Sequence, residues 1–347
     1  MKKIATITFH WATNYGAVLQ SYALQKTIRC LGFDNEIIDY VPVRVDLLHK
    51  LKEIFNRDFV FFTKEKKIKK FRKQELVLSK KRYKTNKSLF TCSDNYSTII
   101  TGSDQIWNPS FTMLAEGKPT LSYYLNFAGA AKRVSYAASF GATILKESMK
   151  TEILPKLRDF SAISVRERTA QDILASMGVD SRVVLDPTLL LKREDYETLC
   201  DKAEKTNPKK VFCYALKNGE CEISSIYNNI CGLLGDAPEP DGVYGVYEWL
   251  NKIKESEFVV TNSFHGTVFA ILFHKPFVSV KIKGSGMNDR LITLLSELGL
   301  INRFCENAEE AVRCFDRVIE WDCVDDKIEQ LRHSSIEFLI GVLSNED

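Results

Sequence analysis

FVVTNSFHGTVFAILF, residues 258–273, is the stretch on which the fold turns. Its opening is apolar and β-branched, the pattern of a buried strand. Thr261-Asn262-Ser263 then makes a polar turn, and the second apolar run is long enough for a short buried helix. A strand that ends in polar residues and feeds a helix N-terminus is where open α/β sheets bind ligands. The amide groups and positive dipole end of such a helix favour phosphates and carboxylates. His265 and Gly266 stand at the crossing. A histidine there either bonds a carbonyl and caps the helix or works on a ligand, so the rest of the chain has to separate the two.

Working outward, the same strand-then-helix grammar recurs. Lys3–Phe9 reads as a strand, Tyr15–Leu31 as a helix with Asn14 as N-cap and Gly32 past its end, and Glu36–Tyr40 as a second strand. That βαβ unit implies a parallel sheet. Ser97–Thr101 is a short strand running into a shaped loop, Gly102-Ser103-Asp104-Gln105-Ile106-Trp107-Asn108-Pro109. Further strands are expected at Arg133–Ala138, Ala162–Val165 (ending in Arg166-Glu167-Arg168) and Arg182–Leu185 before Asp186-Pro187-Thr188. A second βα series begins near Lys192, with strands at Val211–Leu216 and Phe277–Ile282 and helices at Ile223–Leu234 and Tyr247–Lys254. Asn288-Asp289-Arg290 starts a helix to Gly299, and Asp325–Leu343 reads as a terminal helix. The chain's 347 residues suit two domains of about 150–190 residues.

Apolar residues make up 45% and charged residues 27%, ordinary for a globular protein. No run approaches a membrane span, and the N-terminal apolar stretch is too short for a signal peptide, so a cytoplasmic location is expected. The nine cysteines are scattered, without metal-ligand spacing, which suggests reduced thiols. Residues 44–87 carry sixteen Lys/Arg against five Asp/Glu, so the rest of the chain is net acidic. Lysines mixed with phenylalanines there suit a basic amphipathic helix. It is either a solvated face or a surface for anionic lipid, a polyanionic glycan or nucleic acid. No nucleic-acid motif accompanies it, and nucleic acid is left out as a partner.

Polar groups collect at the carboxyl ends of the expected strands: His10 with Asn14, the Gly102–Asn108 loop, Arg166, Asp186 and Asn262–His265. A guanidinium at Arg166 can fork onto a phosphate or carboxylate, or pair with Glu167 or another acid. Arg290 opens a helix, an unfavourable place for a cation unless it meets an anion, with Asp289 as the alternative partner. Asp104 and Gln105 could hold sugar hydroxyls and Trp107 could offer a ring face, or the loop could simply bury its tryptophan. A cation, a histidine and a helix N-terminus together suit a small anionic substrate and proton transfer. P-loop, dinucleotide, nucleophile-elbow and zincin templates are missing, as is an Asp-x-Asp pair, so no metal and no bound cofactor are expected.

Taken in order, ITFHWATNYGAVLQSYALQ, TGSDQIWNP, VSYAASFG, SVRER, LDPTLL and TNSFHGTVFAILF resemble the polysaccharide pyruvyl transferase family over roughly residues 3–300. The resemblance implies a GT-B-like α/β fold, two Rossmann-like domains facing across a cleft. Residues 1–190 would form the acceptor-side domain, with a basic helical insertion at 44–90. Residues 191–325 would form the donor-side domain, and 326–347 a helix crossing back to the first. It implies phosphoenolpyruvate as donor, and as acceptor a hexose of a surface polysaccharide (capsule or exopolysaccharide) or of its lipid-linked precursor. The product would be a pyruvate ketal. The protein would work in the cytoplasm, with the basic 44–87 segment a candidate contact to the inner face of the membrane.

Carried onto this chain, His265 matches the family's catalytic histidine, and Arg166 an arginine that holds the donor. Asn262, Ser263, Phe264, Gly266 and Arg290 complete the expected donor set. Asn14, Tyr15, Asp104, Gln105 and Trp107 form the expected acceptor set. Better-studied members read Ser-Arg-Leu-His-Gly where this chain has Asn262-Ser263-Phe264-His265-Gly266, so Ser263 stands in place of a second donor-binding arginine. Arg290 is the candidate substitute. The same fold would also serve a metal-independent glycosyltransferase using a nucleotide sugar, or a non-catalytic glycan-binding protein.

Overall fold

The computed structural model describes residues 3–47, 59–116, 120–204, 209–216, 220–238 and 242–344. The chain divides into two compact units, Met1–Leu190 with Leu331–Asp347, and Leu191–Gln330.

Unit 1 is a wholly parallel sheet in the order β3-β2-β1-β4-β5-β6-β7. Its strands are β1 (Lys3–Ile7), β2 (Asn35–Tyr40), β3 (Leu78–Tyr83), β4 (Tyr96–Asp104), β5 (Lys132–Ala138), β6 (Ala162–Val165) and β7 (Arg182–Val183). The order turns back between β1 and β4, the position at which doubly wound sheets open a ligand crevice beyond their strand ends. Helix α1 (Tyr15–Cys30) follows β1, capped by the Asn14 side chain, which accepts a hydrogen bond from Ala17 N at 3.2 Å. It ends as expected, with Gly32 just past it in the left-handed region at φ 91°. Helix α2 (Phe59–Glu75) docks on α1 through Ile68 and Phe71, both fully buried, with Phe71 edge-on to Tyr22.

Two expectations are corrected here. The segment 44–90 is not helical throughout, because Leu78–Tyr83 is β3, paired in parallel with β2. Its Lys80, Lys81 and Arg82 are exposed at the sheet edge, where charge blocks pairing with another chain, and the same charges look helical in sequence. Residues 48–58 of that segment lie outside the described residues. Gly102-Ser103-Asp104 is not loop but the end of β4, registered against Tyr136–Ala138 of β5.

Unit 2 is a parallel sheet in the order β11-β10-β9-β8: β8 (Val211–Tyr214), β9 (Phe258–Thr261), β10 (Phe277–Val280) and β11 (Phe304–Cys305). β9 and β10 are buried on both faces, which is why they read as continuous apolar runs. Helix α3 (Ile223–Leu234) packs Ile226 and Ile230 onto this sheet. Helix α4 (Phe264–Leu272) follows β9, and helix α5 (Asn288–Leu298) follows β10. The terminal helix α6 (Trp321–Ser344) starts earlier than expected, and from Leu331 onward it belongs to unit 1. There Leu339 and Leu343 join the core of Ile4, Leu24 and Val134, and Ser335 Oγ accepts from Leu185 N at 3.0 Å. Among the described residues no helix is long and apolar enough to cross a membrane.

Candidate functional site

At the unit 1 edge, β1 delivers His10, which is 1% exposed. Its Nε2 lies 3.2 Å from Asp39 Oδ1 and its Nδ1 3.3 Å from Thr8 O. Asp39 also accepts from Arg82 Nε at 2.8 Å. Burial works against the Asp39 charge, but hydrogen bonds from His10 and Arg82 outweigh it and hold the carboxyl below its usual pKa. Of the expected acceptor residues, Asn14 uses its oxygen to cap α1, and Tyr15 is buried with Lys64 Nζ 4.2 Å above its ring. Gln105 Oε1 accepts from Asn108 Nδ2 at 2.7 Å. Trp107 is a correction: it offers no face to a sugar. It is 1% exposed, stacked on Tyr124 at 5.4 Å, and its Nε1 donates to Tyr123 O. A large aromatic amid other rings contributes more as core than as platform.

Arg166, at the end of β6, is 4% exposed. Its Nη1 donates to Asp186 Oδ2 at 2.6 Å and its Nη2 reaches Asp104 Oδ1 at 3.4 Å. Asp186 in turn accepts from the Thr188 amide at 3.0 Å, from its hydroxyl at 2.6 Å, and from Ser103 Oγ at 3.3 Å. Gln20 ties the same edge to α1, donating to Thr8 Oγ1 and accepting from Ser103 N. Burial opposes the Arg166 charge, but Asp186, Asp104 and Glu167 outweigh it and raise its pKa above the ordinary value. The guanidinium is therefore the centre of a buried ion-pair network. Of the network's other members, Ser103 lies in the Gly102–Asn108 stretch and Thr188 follows Asp186, whereas Gln20, a buried polar residue within α1, carries no sequence signal of its own.

In unit 2, β9 ends at Thr261, whose Oγ1 donates to Tyr214 O at 2.6 Å and accepts from Ser263 N at 3.1 Å. The Asn262 carboxamide accepts from Leu216 N at 2.6 Å and donates to Leu216 O at 2.9 Å, extending the sheet by side chain. Ser263 is the N-cap of α4, its Oγ accepting from Gly266 N at 3.3 Å. A short hydroxyl suits that role, so what stands in the arginine's place is a cap. His265 is in the first turn, 6% exposed, with its ring edge-on to Phe264 at 5.2 Å. Arg290, in the first turn of α5, lies over the other ring of that pair, its Cζ 5.8 Å from the Phe264 centroid. Asn288 pins the start of α5 by exchanging hydrogen bonds with both backbone groups of Ile282. Arg290, Phe264 and His265 thus form one cluster at the α4 N-terminus, where amides and dipole favour an anion. The sequence marks Asn288 as the start of this helix but not as part of the site.

Gly266 is needed for close approach. A Cβ there would sit 2.5 Å from Thr261 Oγ1 and 3.1 Å from Thr261 Cβ. Gly266→Ala is expected to destabilise unit 2 by about 1–3 kcal/mol through overpacking. Urea unfolding followed by amide exchange in β9 would read the loss, and Thr261→Ser alongside it should recover part, by removing the methyl. Among the described residues no group of three or more His, Cys, Asp or Glu could hold a metal ion.

Comparison with known proteins bears on what this site belongs to. The family model for polysaccharide pyruvyl transferases matches residues 14–284. No curated protein sequence matches the chain. Among solved structures, the S. aureus MnaA–UDP complex is similar at a TM-score of 0.52 and 12% identity, over 100% of this chain and 99% of that one. UDP-GlcNAc 2-epimerase from Neisseria meningitidis, solved with UDP-GlcNAc, is similar at a TM-score of 0.51 and 9% identity, over 99% of each chain. At such identities the likeness is one of fold, and the fold of this chain is GT-B-like, α/β with two parallel sheets.

Proposed function

The chain belongs to the polysaccharide pyruvyl transferase family, and from that premise we propose that it moves pyruvate from phosphoenolpyruvate onto two hydroxyls of one hexose. The hexose belongs to a surface polysaccharide or its lipid-linked precursor, and the reaction runs in the cytoplasm. The donor methylene takes a proton, leaving an oxocarbenium-like carbon that a sugar hydroxyl attacks. The bond from that carbon to the phosphate oxygen breaks, and the second hydroxyl closes the ketal. Of the two hydroxyl protons, one is balanced by the new methyl group and the other by the departing phosphate. His265 is assigned the transfer of one of these protons.

The observation that carries the reading is the cluster at the α4 N-terminus: His265 in the first turn, with the Arg290 guanidinium held over the adjoining Phe264 ring. A helix N-terminus and a guanidinium together suit the phosphate and carboxylate of the donor, and they stabilise phosphate as it leaves. Arg290 takes the place of the clamp that Ser263 cannot supply. Arg166, engaged with Asp186, is given a different part: it holds Asp104 and the unit 1 edge in shape for the acceptor.

Calorimetric titration with phosphoenolpyruvate tests the donor assignment. Saturable binding is expected, with Arg290→Ala weakening it about 10–100-fold, the worth of one charge-assisted hydrogen bond. Unchanged affinity in Arg290→Ala would remove it from the donor set. Binding of a nucleotide sugar with no heat from phosphoenolpyruvate would sink the pyruvyl-transfer reading.

A further inference from the structure

Helix α2 carries four exposed lysines, Lys66, Lys69, Lys70 and Lys73, spaced so that all fall on one stripe. The stripe is about 10 Å long at the helical rise. The opposite face is spent on the fold, with Ile68 and Phe71 fully buried. Among the described residues, the acids of the helix leave the stripe without a counter-charge. Glu65 turns away to accept both oxygens' bonds from Arg72, at 2.8 and 3.0 Å, and one from the Thr13 hydroxyl. Glu75 falls half a turn round from Lys66 by helical spacing. Two acids of other elements of unit 1 are engaged with other cations: Asp39 with His10 and Arg82, and Asp46 with Lys84. One turn before Lys66, Phe62 continues the same stripe, half-buried with its ring against Phe61.

The helix is fixed beside the start of α1. Lys64 covers the Tyr15 ring and Glu65 meets Thr13, so the Lys66 end of the stripe lies next to the edge to which the acceptor is assigned, while the helix runs on along α1 with Phe71 against Tyr22. Its cations are lysines only, since the nearby Arg72 is held by Glu65. Lysines act as point charges in a diffuse field, whereas planar, bidentate recognition of single phosphates or bases uses arginine. A polynucleotide site would also need a groove and a row of stacking rings, and the stripe is a convex helix face with one aromatic at its end.

We propose that this stripe docks unit 1 electrostatically onto an anionic lipid bilayer, and that the docking brings a lipid-linked acceptor to the unit 1 edge. The second clause rests on the pyruvyl-transfer reading; the first does not. Because the apolar face of α2 is buried in the protein, the contact is with headgroups and falls off with salt rather than persisting through inserted side chains.

The test is co-sedimentation of the full chain with vesicles of phosphatidylcholine alone or with phosphatidylglycerol mixed in, an anionic surface of the kind that attracts basic segments. Wild type is expected to partition onto the anionic vesicles only, and to be released by high salt. A chain with Lys66→Gln, Lys69→Gln, Lys70→Gln and Lys73→Gln is expected to lose binding about 10²–10³-fold. Its calorimetric response to phosphoenolpyruvate should stay that of wild type, so a failure of docking and a failure of the donor assignment are read separately. Undiminished vesicle binding by the four-lysine variant overturns the proposal. So do equal binding to neutral vesicles, and capture by single-stranded DNA or a polyanionic glycan without vesicle binding.

Discussion

Arg166→Ala is expected to lower the stability of unit 1 by about 3–5 kcal/mol, the cost of leaving a buried carboxylate without its cation. The side chain is 4% exposed and its main partner, Asp186, is 2% exposed, so water cannot replace the lost interaction. Thr188 and Ser103 still donate to Asp186, but they compensate a charge only in part. Asp186→Asn in the same chain should recover a good part of the loss, because a neutral amide tolerates that site better than an unpaired carboxylate. Amide exchange in β5 and β6 would measure both, since the two units need not unfold as one transition. A loss under about 1 kcal/mol would mean the guanidinium is not the network's keystone. The result also governs how activity data are read. An inactive Arg166→Ala enzyme would report a collapsed unit 1 edge as readily as a missing substrate contact.

His265→Asn is expected to lower kcat for pyruvate transfer about 10²–10⁴-fold, the usual worth of a positioned proton-transfer group. Asparagine keeps a polar side chain of modest size beside Phe264, and the Ser263 cap on Gly266 does not involve the histidine ring. The unfolding midpoint should therefore stay near that of wild type, with donor affinity changed only a few-fold. Loss of kcat at preserved binding is the signature of a group acting in the transition state. If kcat stays within about threefold, the histidine is part of the helix start and the chemistry belongs elsewhere.

Much of this was legible in the chain. The strand–turn–helix around His265, the Asn14 cap and the Gly32 stop follow from local periodicity and backbone preference, which act over a few neighbouring residues. The misreadings share one cause. Leu78–Tyr83 reads as a continuing charge run until β2 pairs with it, and Gly102–Asp104 reads as loop until β5 pairs with it. Nothing in the text around Trp107 tells a binding platform from a core residue, because burial is set by Tyr124 and Phe140, distant in sequence.

By itself the sequence determined the two βα series, the family they belong to, and the polar residues offered at the strand ends. Only the tertiary structure decided what each of those residues is occupied with. It gave Arg166 to Asp186, set Ser263 as a cap, and laid Arg290 over Phe264 beside His265. Secondary structure follows from short-range sterics and periodicity. A side chain's electrostatic partner is chosen by which strand ends the sheet order brings together, and that order is fixed by packing across the whole unit.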